Sequence, residues 1–433
     1  MTFNSLEDWL SWQETLHVQS IDMGLDRIRP VYDKLLPHGL ACKTIVVGGT
    51  NGKGSTAAFL EAIYVAAGYK VGVYASPHLF RYNERIRLDG EPVSDIMLCE
   101  AFEQINVQRE QVSLTYFEFG TLAAFAIFQQ AQLDIAILEV GLGGRLDAVN
   151  LVDTDIAIVT NVDLDHMAWL GDTREKIAYE KFGIARPGKP LLFADDRSPE
   201  NLTELVASSQ CHLQQIGKDF GFVKNADNWQ WWGAGKHLYS LPFPALHGIH
   251  QFKNAATALM AIQHLSEELP VSMAHIRVGL SKALLPGRFE VVQREGYWII
   301  LDVAHNPHGV AAFVHQLAQM PQLGEHHLVL GMLEDKDVET VVQLLEPVVD
   351  HWYLGGLSVP RGLAVDKLAR RVENVTQKAQ ELAVFGTVTA AMKAALENLK
   401  ANDKLLVLGS FNTVEAAYRY LNEQQSQQFR LNG

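Results

Sequence analysis

The stretch Val46-Val47-Gly48-Gly49-Thr50-Asn51-Gly52-Lys53-Gly54-Ser55-Thr56 brings together what is needed to hold phosphate. Glycines let backbone N–H groups turn towards anionic oxygens, and a following helix adds the positive end of its dipole. Lys53 supplies a point charge, and Ser55 and Thr56 supply hydroxyls. Gly54 separates Lys53 from Ser55, so the common Gly-x-x-x-x-Gly-Lys-Ser/Thr spacing is not strictly met. A plain glycine turn does not call for strand, lysine, hydroxyls and helix in this order. Phosphate binding is the expected chemistry.

Three further groups could hold a metal. Glu139 lies near the end of the apolar run Ile135–Val140, ahead of Gly141-Leu142-Gly143-Gly144-Arg145. His166 closes Asn161-Val162-Asp163-Leu164-Asp165-His166, and Ser76 follows the run Lys70–Tyr74. All three fall at carboxyl ends of expected parallel strands, where open α/β sheets place their ligand crevice. Carboxylate, hydroxyl and imidazole, completed by phosphate oxygens, suit Mg²⁺. A single histidine or serine past a strand is more often structural. A carboxylate ending an apolar strand is different, because it needs a polar or charged partner. Lys181 has no special meaning taken alone. Asp302, in Leu301-Asp302-Val303-Ala304-His305-Asn306-Pro307, ends another strand, and Arg288 sits at a hinge from which it could reach nucleotide.

Stepping outward, the elements that must position these groups alternate. The apolar runs Thr44–Val47, Lys70–Tyr74, Ile135–Val140, Ile156–Val162 and Pro190–Ala194 are separated by helical stretches such as Thr56–Ala67 and Phe117–Gln130. Fully apolar strands between helices indicate a parallel sheet covered on both faces. The charged stretch Ser76 to Gly90 is expected as a loop able to move over substrate. From about 210 to 245, tryptophans and glycine turns indicate a small β-hairpin elaboration, and a helix is expected from near Asn254. After Leu285-Pro286-Gly287-Arg288 a second alternation begins, with strands at Trp298–Val303, His327–Gly331, Trp352–Gly355 and Leu405–Gly409. The expected domains are therefore 1–288 and 289–433.

Composition sets the outer bounds. A chain of 433 residues with 48% hydrophobic and 20% charged residues has material for two or three cores. A net charge of −14 argues against a general nucleic-acid binder, which needs a basic face. The three cysteines, Cys42, Cys99 and Cys211, contain no CxxC pair and fit a reducing compartment. The first ten residues carry two acids and no basic segment, so no secretory signal is expected. The longest apolar stretch, Leu122–Phe128, is too short to span a bilayer. A cytoplasmic monomer with no nucleic-acid or membrane partner is the expectation.

Taken together, Gly49-Thr50-Asn51-Gly52-Lys53-Gly54-Ser55, Glu139-Val140-Gly141-Leu142-Gly143-Gly144-Arg145-Leu146-Asp147, Leu285-Pro286-Gly287-Arg288 and Asp302-Val303-Ala304-His305-Asn306-Pro307 resemble the folylpolyglutamate synthase branch of the Mur ligase superfamily. Thr-Asn-Gly-Lys-Gly is that family's form of the phosphate loop, which accounts for the displaced Ser55. The resemblance runs from about residue 5 to the C-terminus. It implies an α/β fold: a P-loop-containing Mur-ligase-type domain, then a smaller Rossmann-like domain, with the active site between them.

The resemblance also implies an activity. It is ATP-dependent amide ligation of L-glutamate onto dihydropteroate, and then γ-linked extension of folates, through an acyl phosphate. The cofactors implied are ATP and Mg²⁺, with a monovalent cation such as K⁺ as an optional addition. Ser76, Glu139 and His166 become the metal ligands, and Lys181 matches the family's carbamylated lysine. Thr50, Asn51, Gly52, Lys53, Gly54, Ser55, Asn254, Arg288 and Asp302 match nucleotide contacts. Lys53, Glu139, His166 and Lys181 form the implied catalytic set. Ser20-Ile21-Asp22-Met23-Gly24-Leu25-Asp26-Arg27 and Thr115-Tyr116-Phe117-Glu118 resemble pterin-binding segments, which makes Ser20, Ile21, Asp22, Met23, Thr115, Tyr116 and Phe117 the implied contacts, with Arg145 and Leu146 also on the substrate side. Ser20 and Met23 stand where the family commonly has Thr and Leu. The rivals are a peptidoglycan-precursor ligase, a folylpolyglutamate synthase without dihydrofolate synthase activity, a simple phosphotransferase and a non-catalytic nucleotide binder. Only about 40 residues precede the first strand, few for the nucleotide-sugar domain of a precursor ligase.

Overall fold

The computed structural model describes residues 3, 5–294, 296–376 and 382–431, with backbone only for 425–431. They form two compact units. The first runs to Leu284 and omits Leu246–Ile249, which group with the second unit from Leu285 onward.

The first unit holds an eight-stranded sheet: β1 (Lys43–Gly48), β2 (Val71–Tyr74), β3 (Ile86–Leu88), β4 (Glu91–Pro92), β5 (Ile135–Glu139), β6 (Ile156–Val159), β7 (Pro190–Phe193) and β8 (His212–Gln215). Their order is β4-β3-β2-β5-β1-β6-β7-β8. From β2 to β8 neighbours run parallel, while β3 and β4 pair antiparallel. The central strands are buried along their length, which is why their sequences are unbroken apolar runs rather than alternating ones. The helix Tyr116–Ala131 is likewise buried from Glu118 to Phe128, and so lacks a polar face.

The stretch Ser76 to Gly90 is not a free loop. It contains the single turn Tyr82–Arg85 and then β3, which pairs with β2 through Tyr74↔Ile86 and Gly72↔Leu88. The Glu84 carboxylate accepts the backbone N–H groups of Leu79, Phe80 and Arg81 at 2.7, 3.0 and 2.8 Å. Arg87 donates to the buried Glu61 carboxylate. The charges that suggested a mobile segment are thus spent on internal partners.

Between 210 and 245, β8 joins the main sheet, and β9 (Phe220–Lys224), β10 (Trp229–Gly233) and β11 (Lys236–Leu241) make a separate antiparallel sheet. Trp229 and Trp231 are buried, and the Trp231 indole donates to Ala256 O at 2.9 Å. The aromatics there pack on the helix Ile249–His264, which starts five residues before Asn254.

The second unit carries β12 (Glu290–Gln293), β13 (Trp298–Leu301), β14 (His326–Leu330), β15 (His351–Gly355), β16 (Leu382–Phe385) and β17 (Lys404–Leu408), ordered β12-β13-β17-β14-β15-β16. Only β12 is antiparallel to its neighbour. The sequence reading missed β12 and β16. Both are half-exposed edge strands, without the buried apolar run that marks the centre. Both units are α/β, with largely parallel sheets. Among the described residues no helix is long and apolar enough to cross a membrane.

Candidate active site

Strand order decides which side chains meet. In the first sheet β2, β5, β1 and β6 are consecutive neighbours, with Val47 opposite Glu139 and Gly48 opposite Val159. Their carboxyl ends therefore release Ser76, Glu139, the glycine loop and the 160–166 segment along one edge.

The loop is held open by its neighbours. Gly49 (φ 140°) and Gly52 (φ 86°) take left-handed backbone angles that favour glycine. A Cβ at Gly49 would collide with the Thr160 hydroxyl, and one at Gly52 would lie 2.7 Å from Asn254 Oδ1. Thr50 N–H donates to Asn161 O at 3.0 Å, and Asn51 N–H to Asn161 Oδ1 at 2.8 Å. The Thr160 hydroxyl donates to Asn51 O, and Thr50 Oγ1 both donates to and accepts from the Asp163 backbone. Lys53 opens the helix Lys53–Ala66 and folds back to Gly49 O and Thr50 O at 3.1 and 3.3 Å. An ammonium held by carbonyls beside a helix N-terminus is poised to exchange them for phosphate oxygens. From the other side, Gln251 donates to Ser55 Oγ at 3.3 Å, and Asn254 donates to Gln251 at 2.9 Å.

Buried charge surrounds this loop. Glu139 is 5% exposed and accepts the Ser76 backbone N–H at 3.4 Å. Asp147 is buried, which pushes its carboxyl up to about 6, although backbone N–H groups of Leu142 and Val149 and the charge of Lys53 pull it back. Lys181 is 3% exposed. Burial lowers its amine to about 7, repulsion from Lys53 adds to this, and Asp165 opposes it. His166 adopts a left-handed backbone (φ 51°) at the start of the short helix Met167–Leu170, and its N–H donates to Asp165 Oδ1 at 2.8 Å. Buried oxygen donors, an imidazole and cations at one sheet edge form a donor set suited to a hard divalent ion and phosphate.

The expected pterin segments meet within the same unit, beside the glycine run that follows β5. Arg27 grips Glu118 with two bonds of 2.8 Å and pairs with Asp22 at 3.0 Å, while His17 lies 3.2 Å from Asp22. Thr115 and Glu118 form a reciprocal cap on the helix Tyr116–Ala131, so Thr115 has a structural task. Tyr116 stacks edge-on to Tyr82, with the Arg85 guanidinium 5.4 Å from its ring, and Phe117 packs against Gly141, where no Cβ intervenes. Met23 reaches Gly143, tying Ser20–Met23 to the glycine run after β5. Ile21 and Leu146 are half-buried and Ser20 is exposed. Arg145 pairs with Glu180 at 2.8 Å and lies over Tyr179.

Within the second unit, Asp302 follows β13 and accepts N–H groups from Phe289 and Ala304, both at 2.7 Å. Its carboxyl is raised by burial and lowered in part by the nearby Arg288, whose guanidinium lies over Phe411.

Residues 47–262 match the Mur ligase middle domain, and residues 287–411 match the Mur ligase glutamate ligase domain. The dihydrofolate synthase/folylpolyglutamate synthase of Escherichia coli strain K12 is 42% identical over 97% of this chain and 96% of its own. The protein of that name from Haemophilus influenzae is 39% identical over 94% and 96%. The chain belongs to the folylpolyglutamate synthase family of Mur ligases. Among solved structures, E. coli FolC in complex with DHPP and ADP superposes with a TM-score of 0.92 at 41% identity, covering 98% of this chain and 99% of that one. A bifunctional folylpolyglutamate synthase/dihydrofolate synthase with Mn, AMPPNP and L-glutamate bound gives 0.89 at 42% identity, covering 97% and 98%.

In this Mur ligase the fold brings Asn254 against Gly52 of the glycine loop, far earlier in the chain, and draws Lys181 towards Lys53. Several participants were not singled out from the sequence. Thr160, Asn161 and Asp163 brace the loop, Gln251 bridges Asn254 to Ser55, and Asp147 and Asp165 set the local charge. Asn161 and Asp163 lie within the motif ending in His166, so their place just past an apolar strand was an available signal. Gln251 gave none, because its partner Ser55 is distant in sequence; Arg27 and Glu118 end the two pterin-like segments, but their pairing is written in neither.

Proposed function

We propose that this Mur ligase couples ATP to amide formation, adding L-glutamate to dihydropteroate to give dihydrofolate, and to reduced folates to give polyglutamates. The observation that carries the reading is Lys53, Glu139 and Lys181 gathered at one sheet edge, in a chain alike over nearly its whole length to enzymes of those two named activities.

A carboxylate resists attack by amines because its leaving group would be oxide. Transfer of the ATP γ-phosphoryl group to that carboxylate breaks the bond to the β-phosphate bridging oxygen and leaves ADP. The glutamate amine then attacks the acyl carbon, the C–O bond to phosphate breaks, and the nitrogen loses a proton. Such chemistry asks a protein chiefly for positioning and charge neutralisation. Lys53 meets the β- and γ-phosphates, with loop N–H groups alongside. Mg²⁺, held by Ser76, Glu139 and His166, would neutralise phosphate charge when bound. A monovalent cation such as K⁺ is the proposed second ion.

An amine lowered to about 7 is substantially neutral near pH 7. The neutral Lys181 nitrogen can add to CO₂, forming an N–C bond and releasing a proton. The resulting carbamate exchanges repulsion from Lys53 for attraction. Asn254, Arg288 and Asp302 are the proposed further nucleotide contacts, and Asp22, Tyr116 and Phe117 the proposed pterin contacts. A cytoplasmic monomer remains the proposed setting.

The test is phosphate release with ATP, Mg²⁺ and L-glutamate, with dihydropteroate, with tetrahydrofolate, and with neither acceptor. Acceptor-dependent release with amide product from both supports the reading. Product from tetrahydrofolate alone reduces it to a polyglutamylating enzyme, and product from neither overturns it.

A further inference from the structure

A second cluster of metal-ligating side chains lies in the second unit, apart from every residue assigned above. β14 and β15 pair in parallel with His327 directly opposite His351. Adjacent strands lie about 4.8 Å apart, and in-register side chains share a face. The two imidazoles accordingly stack, with ring centroids 4.4 Å apart and planes inclined by 30°. Glu325 precedes His327 by two residues, the strand period, and its Oε2 lies 3.3 Å from His351 Nε2. One donor atom from each of Glu325, His327 and His351 falls within a set no more than 4.8 Å across.

We propose that Glu325, His327 and His351 form a binding site for a zinc-class divalent transition metal. Two imidazoles and a carboxylate are a common zinc ligand set. Bonds of about 2.0–2.1 Å in a tetrahedron place donor atoms about 3.4 Å apart, and the Glu325–His351 pair already has that spacing. The remaining closure falls to the two half-exposed side chains, Glu325 and His351. His327 is the fixed member, 2% exposed.

A carboxylate behind the imidazole strengthens the case. His327 Nε2 is buried without a hydrogen bond, yet lies 3.3 Å from Asp403 Oδ2. With Nε2 turned to Asp403, Nδ1 is the nitrogen left for a metal, in place of the Tyr353 hydroxyl now 3.3 Å from it. Asp403 is itself fixed, since its oxygens accept the N–H groups of Glu325 and Lys400 at 2.8 and 2.7 Å. A carboxylate orienting a histidine ligand is a recurrent support in metal sites. Lys400 Nζ, 3.4 Å from Glu325 Oε2, is the group a metal would displace, and it is exposed enough to leave.

The cluster lies at the amino ends of β14 and β15, while Asp302 follows the carboxyl end of the parallel strand β13. A metal there would tie strand ends together without entering the ligase chemistry.

The test uses the untagged full-length chain with saturating Mg²⁺ and ADP, which occupy the nucleotide site. Zn²⁺ is titrated by equilibrium dialysis, and Co²⁺ by its visible absorption. The expected result is one Zn²⁺ per chain beyond any bound by a His351→Ala, Glu325→Gln double variant. Asp403→Asn should weaken binding about 10–100-fold. Zn²⁺ should raise the Tm of the wild type and leave that of the double variant unchanged. Both altered side chains are half-exposed, so this variant should fold, as its Mg²⁺-dependent ligase rate would verify. Equal Zn²⁺ stoichiometry in wild type and double variant, or no Zn²⁺ retained by either, overturns the proposal.

Discussion

The two sheets treat the polar groups at their carboxyl ends differently. In the first unit the ends of β2, β5, β1 and β6 bring buried and half-buried charged groups near one another, and two of them are lysines. Lys53 is parked on backbone carbonyls, and Lys181 is buried where another lysine repels it. In the second unit the groups after β13 are closed upon the backbone. Asp302 takes two N–H groups, Asn306 caps the helix Pro307–Leu317 through Gly309 N–H, and His305 Nδ1 lies 2.8 Å from Val303 O. Closed groups shape a turn at little cost. A buried lysine beside another lysine costs stability, which Lys181 meets by a lowered amine pKa.

Substitutions that sharpen this contrast should separate activity from stability. The largest effect is expected for Lys53→Ala, with ligase turnover falling about 100–1,000-fold while the urea midpoint stays close to wild type. A near-normal rate would remove the phosphate-loop role. Lys181→Ala comes next, with an activity loss of about 100-fold that acetate or formate should partly restore. Failure of rescue, joined to no ¹³C carbamate signal in the wild type, would leave Lys181 an ordinary buried lysine.

Glu139→Gln keeps shape but removes charge, so the Mg²⁺ concentration for half-maximal rate should rise about 10-fold or more. An unchanged titration would move the ligand role elsewhere. On the closed side, Asp302→Asn leaves one of two backbone N–H groups without its acceptor. It should cost about 1–3 kcal/mol of stability, read as a lowered urea midpoint. An unchanged midpoint would show that these two bonds do not hold the turn.

The smallest effect is a pH slope. The Asp147 carboxyl is raised to about 6 in the fold, so the native state holds a proton that the unfolded chain releases near pH 4. Its contribution is therefore fully present below about pH 4 and lost as pH rises through about 6. Asp147→Asn should flatten that decline in urea midpoint between pH 4.5 and 7.5. An identical slope in both proteins would show the carboxyl to be ionised throughout.

What the sequence determined by itself was whatever is written locally. Buried parallel strands need unbroken apolar runs, so β1, β2, β5, β6 and β7 and the centre of the second sheet were legible. The glycines, lysine and helix of the 48–56 loop are contiguous, so its strand-turn-helix geometry was legible too. Edge strands such as β12 and β16 escaped, because half-exposed pairing leaves no strong pattern. The charged Ser76 to Gly90 stretch was misjudged because Glu84 and Arg87 find partners inside the fold, which composition cannot report. Only tertiary structure set Asn254 against Gly52, Arg27 against Glu118 and Lys181 within the field of Lys53. A pKa depends on burial and on charges brought near through space, and neither is a property of position along the chain.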